Sequence, residues 1–85
     1  MVEKSVVVEL PSGLQARPAA QFVQKANSYA AELFIEKGSK RVNAKSIMGL
    51  MSLAIASGEE IKIIADGSDD EDALEELVLF VSDGK

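Results

Sequence analysis

Ser46 is the side chain of this sequence with the clearest potential for a chemical modification. It precedes an almost unbroken apolar run from Ile47 to Ala56, at the position where a helix N-cap is expected. A phosphoryl group on its hydroxyl would lie against free backbone N–H groups and the positive end of the helix dipole, beside the cation of Lys45. The simpler interpretation is that Ser46 is only a cap, because serine is common at that position.

The helix predicted after Ser46 carries more apolar side chains than one buried face requires. Helical spacing divides them into two stripes. The stripe predicted to be buried contains Ile47, Leu50 and Ala54, and the stripe predicted to be exposed contains Met48, Met51 and Ile55. Methionine suits an exposed binding surface because its side chain is flexible and polarizable. Methionines at this spacing are more often core residues, so the pattern alone leaves both interpretations open.

A second candidate for anion binding lies in Gly13–Ala20, which opens another predicted helix. Pro18 is acceptable in a first helical turn, where its missing N–H is not needed. The free N–H groups of such a helix start, joined by the Arg17 guanidinium, can bind an oxyanion. Spacing alone favours the alternative that Arg17 is a solvated surface charge.

Composition excludes most catalytic and metal chemistry. The sequence has no cysteine and no histidine, which removes thiol nucleophiles, the commonest metal ligands and the usual general base near neutral pH. Fourteen acidic against nine basic residues give a net charge of −5, which argues against direct nucleic-acid binding. We therefore expect no enzyme activity, no metal and no cofactor, and a protein as the partner.

Length and the distribution of apolar residues bound the architecture and the location. Eighty-five residues are enough for one domain over 1–85, with a single core and no deep enclosed site. The first residues lack the pattern of a signal peptide, and no apolar run reaches membrane-spanning length. The sequence predicts a cytoplasmic protein that does not contact a membrane.

Apolar periodicity predicts four strands and three helices. The predicted strands cover residues 4–10, 32–36, 40–42 and 60–65. The first predicted helix buries a stripe of Ala19, Phe22, Val23, Ala26 and Ala30. The second extends from Ser46 to Ser57-Gly58, and the third follows the acidic run 68–72, whose charges suit a helix start.

This order, β-α-β-β-α-β-α, predicts an α+β fold. The short connections, including the turn Lys37-Gly38-Ser39, favour an antiparallel sheet over consecutive parallel crossovers. The predicted architecture is a two-layer open-faced sandwich, in which three helices cover one face of a four-stranded antiparallel sheet. Val7, Phe34 and Ile64 depart from the polar pattern of the other face and are predicted to be partly covered or exposed.

Two motifs within this order carry a family resemblance. Gly13-Leu14-Gln15-Ala16-Arg17-Pro18-Ala19 before the first helix and Lys45-Ser46-Ile47-Met48-Gly49-Leu50 before the second resemble those of the HPr family of sugar phosphotransferase systems. The resemblance covers essentially the whole chain. That family carries a phosphoryl group on a histidine two residues before the arginine, where this sequence has Gln15. An amide offers no nucleophilic nitrogen, so the resemblance implies that the carrier chemistry is absent.

Gln15 together with an intact serine motif resembles the catabolite-repression branch of the family, the Crh proteins. This resemblance implies that HPr kinase/phosphorylase phosphorylates Ser46. It further implies that the phosphoprotein is a corepressor of a LacI/GalR-type regulator, catabolite control protein A. The implied partner-binding residues are Gln15, Arg17, Ala20, Gln24, Lys45, Ile47, Met48 and Met51.

Other classes of function remain open at this point. One is an active phosphocarrier, which the lack of histidine disfavours. Another is an acyl-carrier protein, which is also small and acidic with a serine at a helix start, but is all-helical and has an aspartate where this chain has Lys45. A serine hydrolase is weaker still, because no base is present to activate a hydroxyl. The sequence does not determine whether the protein is a monomer or a dimer.

Overall fold

The computed structural model describes residues 1–82 and contains four strands and three helices. In chain order these are β1 (Val2–Val7), α1 (Arg17–Asn27), β2 (Glu32–Lys37), β3 (Lys40–Asn43), α2 (Ile47–Ser52), β4 (Glu60–Asp66) and α3 (Asp70–Ser82). The strands form one antiparallel sheet in the order β1-β4-β2-β3. The predicted element order and the α+β open-faced sandwich are confirmed. Among the described residues, no helix is long and apolar enough to cross a membrane.

Alternation along the strands determines which side chains meet the helices. Ile61, Ile63 and Ala65 of β4 are buried, as are Leu33 and Ile35 of β2, because alternate residues of a strand point to the same face. Each helix adds apolar side chains to this layer. The largest of these are Phe22 from α1, Leu50 from α2 and Leu77 from α3. One core between the sheet and the helices therefore fixes the positions of α1 and α2.

The opposite face of the sheet contains one deeply covered apolar residue. Ile64 is only 2% exposed, and its neighbours across the strands are Glu3 and Phe34. The Arg41 guanidinium lies 5.3 Å from the centroid of the Phe34 ring. Val7 is exposed. The prediction that these apolar residues are partly covered or exposed holds for Val7 and Phe34, whereas Ile64 is more buried than predicted.

The helices α1 and α2 end earlier than predicted, which corrects several assignments of burial. The helix α1 ends at Asn27, and Ala30 is exposed beyond it. The helix α2 ends at Ser52 instead of Ser57-Gly58, and Ala54 has a left-handed backbone with φ 51°. Because this turn changes the direction of the chain, helical spacing does not apply beyond it.

Three members of the two predicted stripes around α2 are wrong, and two of them, Ala54 and Ile55, lie at or beyond this turn. Ile55, predicted to be exposed, is fully buried, whereas Ala54 and Ile47, predicted to be buried, are exposed. Leu50 is buried, and Met48 and Met51 are exposed, as predicted. The exposed apolar surface of α2 therefore consists of Ile47, Met48 and Met51.

Polar contacts attach the end of α1 to α3. The Tyr29 hydroxyl donates to Glu76 Oε1, and Lys25 Nζ lies 3.3 Å from Glu76 Oε2. These two donors, the tyrosine first, lower the pKa of Glu76, and the same carboxylate raises the pKa of Tyr29 to about 12. Asp69 accepts the backbone N–H groups of Ala30 and Ala31 at 2.9 and 2.8 Å.

Candidate partner-docking surface

Ser46 is the N-cap of α2 and its hydroxyl is accessible. Its backbone is extended, with φ −109° and ψ 115°, and its Oγ accepts the Gly49 N–H at 3.1 Å. A Cβ atom at position 49 would lie 3.3 Å from this oxygen, closer than an ordinary van der Waals contact. Glycine at this position therefore leaves space on one side of the hydroxyl. The predicted cap is confirmed, and the side chain is exposed.

The start of α1 is organised differently. Ala16 occupies its N-cap position with φ 54° and ψ −123°, and within residues 1–82 no side chain caps the first turn. The helix begins at Arg17, followed by Pro18, which has no N–H. Gln15 and Arg17 are both exposed. Within residues 1–82 Arg17 forms no ion pair, so its guanidinium is available to a partner.

Two hydrogen bonds connect the segments that flank α1 and α2. The Leu14 N–H, before α1, donates to the Ile55 carbonyl beyond α2 at 3.1 Å. Lys45 Nζ, before α2, donates to the Tyr29 carbonyl beyond α1 at 2.7 Å. The 11 residues of α1 extend over about 16 Å, so the two ends of α2 are associated with opposite ends of α1. The end of α2 is therefore nearer to the start of α1 than Ser46 is.

The helices α1 and α2 are in contact, and their exposed residues, together with Gln15 and Ser46 before them, make up the candidate surface that we call the docking surface. Arg17, Ala20 and Gln24 are exposed and lie three and four positions apart, a spacing that places them on one face of a helix. Met48 is 80% exposed and Met51 is 49% exposed. Seven of the eight predicted partner-binding residues are exposed and belong to this surface: Gln15, Arg17, Ala20, Gln24, Ile47, Met48 and Met51.

Lys45 is the predicted partner-binding residue whose environment differs from expectation. Its side chain is half-buried, and its ammonium is bonded to the Tyr29 carbonyl, whereas the hydrogen bond made by the Ser46 hydroxyl is to Gly49. No local sequence pattern predicts this bond, because Tyr29 and Lys45 are 16 positions apart. Lys45 therefore has a structural role in joining the start of α2 to the end of α1.

The docking surface offers binding chemistry and no catalytic group of the usual kind. The chain contains no histidine or cysteine. Residues 1–82 contain no group of three or more acidic side chains arranged to hold a metal ion. Within residues 1–82, this surface provides the accessible Ser46 hydroxyl at a helix N-cap, the Arg17 guanidinium and a set of exposed apolar side chains. These groups are suited to accepting a phosphoryl group and binding a protein.

Comparison with known proteins assigns the family. A family model described as "PTS HPr component phosphorylation site" matches residues 2–83. The chain belongs to the HPr family. It is 62% identical over 81 residues to the HPr-like protein Crh of Halalkalibacterium halodurans, covering 95% of this chain and 96% of that protein. The predicted relation to both HPr and Crh is therefore confirmed.

Solved structures of this HPr family agree with the fold. A crystal structure described as a phosphocarrier protein HPr from Bacillus anthracis has a TM-score of 0.94 and 60% identity, covering 95% of this chain and 96% of that one. Bacillus subtilis Crh, described as a dimer with a swapping domain, has a TM-score of 0.77 and 57% identity, covering 95% and 93%. The four-stranded sheet and the family together exclude the all-helical acyl-carrier alternative.

Proposed function

We propose that this HPr-family protein is a serine-phosphorylated regulator of carbon catabolite repression. HPr kinase/phosphorylase phosphorylates Ser46, and the phosphoprotein acts as corepressor of a LacI/GalR-type regulator, catabolite control protein A. The observation that carries the proposal is the contrast between the two family motifs. Gln15 occupies the position of the carrier histidine, while Ser46 keeps an exposed hydroxyl at a helix N-cap.

A phosphoryl group at Ser46 would add the strongest charge on the docking surface. It brings about −1.5 to −2 charges and can form one to three charge-assisted hydrogen bonds with arginines of a partner. At about 1.5–3 kcal/mol for each bond to a charged group, two such bonds change affinity by about two to four powers of ten before ordering costs. This range is sufficient for a switch.

The apolar part of the docking surface would supply the contribution that does not depend on phosphorylation. Met48 is almost fully exposed, and Ile47 and Met51 extend the same surface. Burial of such side chains on binding is favourable by about 25 cal/mol per Å² of apolar area, less the costs of association. Because the chain carries a net charge of −5, we expect the partner surface to be basic at its centre and apolar around it.

A phosphocarrier is the second candidate function. In its favour is the similarity to a protein described as phosphocarrier HPr at 60% identity. Against it is the absence of any histidine in the sequence. The glutamine amide is not a nucleophile that can accept and release a phosphoryl group. The regulatory function needs only the groups that the chain has, and it places the protein in the cytoplasm with its kinase and repressor.

Incubation with ATP and HPr kinase/phosphorylase, followed by mass spectrometry of peptides, tests the proposal. We expect one phosphoryl group, on Ser46. Ser46→Ala should remain unlabelled, and Ser52→Ala, which removes an exposed hydroxyl six residues away on the same helix, should be labelled normally. Labelling of another residue in preference to Ser46, or failure to label a folded protein under conditions that label an HPr control, would rule the proposal out.

A further inference from the structure

Lys37, at the end of β2, makes contacts that connect three separate parts of the chain. Its Nζ donates to the carbonyls of Leu53 and Ala54 at 3.0 and 3.2 Å. It also lies 3.0 Å from Glu59 Oε1. The last carbonyls of a helix have no partner within the helix and are commonly satisfied by a lysine near the helix end. For α2 this lysine comes from the sheet.

Residues 53–59 form a segment that we call the support loop. The Lys37 ammonium contacts it near both ends, at Leu53 and Ala54 and at Glu59. Glu59 Oε1, the atom paired with Lys37, also accepts the Ala56 N–H at 2.7 Å. Ala54, whose own carbonyl accepts one of the bonds from Lys37, has φ 51°, a conformation that costs energy for a residue other than glycine. A strained residue of this kind requires contacts around it that fix the chain, and Lys37 supplies two of them.

The support loop packs against the segment that precedes Gln15. Its Ile55 carbonyl accepts the Leu14 N–H, and the Ile55 side chain is fully buried. Gly13 passes so close that a Cβ atom there would lie 2.4 Å from the Ile55 oxygen. The φ of Gly13 is 70°, which also favours glycine. The support loop therefore contacts the backbone at Gly13 and at the Leu14 N–H, directly before Gln15.

We propose that Lys37 is a positioning residue for the docking surface. By fixing the support loop, it holds Met51 at the end of α2 in one placement relative to Gln15 and Arg17 at the start of α1. The inference rests on the proposed function, because that function makes these residues one binding surface. Lys37 acts through the loop and lies outside the set of residues proposed to touch the repressor.

The neighbouring Lys40 provides a matched control. It lies directly opposite Lys37 in the β2–β3 hairpin and is exposed. Within residues 1–82 it forms no ion pair. Lys37→Met and Lys40→Met remove the same charge from almost the same place. Only the first change also removes the bonds to Leu53 and Ala54, so a comparison of the two variants separates positioning from net charge.

Amide hydrogen exchange tests the structural part of the inference without a partner. For Lys37→Met we expect exchange of the Leu14 N–H to accelerate by about tenfold while that of Ile63, in the central strand β4, changes less, because loss of the contact opens the loop locally. A purely global destabilisation would accelerate both amides equally. Equal acceleration, or a Leu14 rate unchanged from that of Lys40→Met, would overturn the inference.

Binding to the repressor tests the functional part. With each protein phosphorylated at Ser46 and fully folded, we expect Lys37→Met to weaken binding by about 2- to 30-fold, the range for residues that act at a distance. Lys40→Met should change binding by less than about twofold. Equal binding of the two variants would contradict the inference. Failure of the phosphorylated wild type to bind would instead refute the proposed function, and the exchange experiment would still decide the role of Lys37.

A more conservative substitution keeps the test valid if Lys37→Met does not fold. Should Lys37→Met fail to unfold cooperatively, Lys37→Gln replaces it in both experiments, because its amide keeps a donor while losing the charge. For Lys37→Gln we expect faster Leu14 exchange and weaker repressor binding than for Lys40→Met, with both effects smaller than those of Lys37→Met. Lys37→Arg should restore Leu14 exchange and repressor binding toward wild type, since a guanidinium can donate to two carbonyls. A Lys37→Arg protein as impaired as Lys37→Met would overturn the assigned donor role.

Discussion

The starts of α1 and α2 differ in whether a side chain caps their unsatisfied helix N–H groups. At α2, Ser46 supplies an oxygen to the Gly49 N–H, so the group proposed for modification is already part of the helix start. At α1, Ala16 leaves the first turn without a side-chain cap, and Gln15 and Arg17 stand exposed beside it. The difference teaches that modification at Ser46 changes a structural bond, whereas a change at Gln15 alters only the surface.

The largest expected effect is on phosphoryl transfer at the start of α1, which should differ from phosphorylation at the start of α2. Phosphoenolpyruvate and the general donor enzyme of the sugar phosphotransferase system should leave the protein unlabelled, because Gln15 is not a nucleophile. Gln15→His should gain some labelling, since Arg17 and the open helix start remain to stabilise the phosphate. Radiolabel transfer measures both proteins. A stable label acquired by the wild type would contradict our interpretation of Gln15.

The next largest effect is on stability, and it distinguishes the buried face of α2 from its exposed face. Leu50→Ala should lower the free energy of unfolding by about 2–5 kcal/mol, because Leu50 is fully buried. Met51→Asp should cost no more than about 1 kcal/mol, because Met51 is half exposed and the new charge lies in the last turn of the helix, while it weakens repressor binding. Denaturant unfolding and a binding titration measure the two quantities. Loss of cooperative unfolding in Met51→Asp would show that Met51 is a core residue.

A smaller effect compares the two caps directly. Ser46→Ala should cost about 0.5–2 kcal/mol of stability, the usual range for loss of a side-chain cap. Gln15→Ala, beside a helix start that has no such cap, should have no comparable cost. Ser46→Asp should keep the cap and yet mimic phosphate poorly, because a carboxylate has less charge and fewer acceptor oxygens. Equal costs for Ser46→Ala and Gln15→Ala would contradict the structural difference between the two starts.

The smallest effect concerns the opposite end of α1, where Tyr29 and Lys25 bond to Glu76. These donors lower the pKa of Glu76 below its ordinary value of 4.5. Its contribution to stability is therefore present above pH 4.5 and is lost as the pH falls through the folded-state pKa. Glu76→Gln should show a weaker acid dependence in urea unfolding than the wild type. Identical pH profiles would show that the carboxylate makes no net contribution.

Much of the fold followed from local patterns. Strand alternation predicted the buried residues Ile61, Ile63 and Ala65, and serine before an apolar run predicted the cap at Ser46. The end of α2 was not predictable in the same way. Ala54 adopts a left-handed conformation although alanine favours helices, and its carbonyl accepts a bond from the distant Lys37, which no local preference predicts.

The residues of the candidate site could be predicted from the sequence. The hydrogen bonds that hold the surrounding segments in place could not. Met48 and Met51 were identified from an excess of apolar residues, and Gln15 and Arg17 from a motif. The bonds of Lys37 and Lys45 join residues 16 or more positions apart. No periodicity connects residues at such separations, since these contacts exist only once the sheet and helices have packed.

Titration of the repressor with phosphorylated and unphosphorylated protein at moderate salt tests the central claim most directly. Ser46→Ala, incubated with kinase and ATP in the same way, provides the control for unrelated modification. We predict that the phosphorylated protein binds at least about tenfold more tightly than the other two, as expected from charge-assisted bonds to the phosphoryl group. Equal affinity of the phosphorylated and unphosphorylated proteins would mean that Ser46 is only a helix cap, and the proposed function would be wrong.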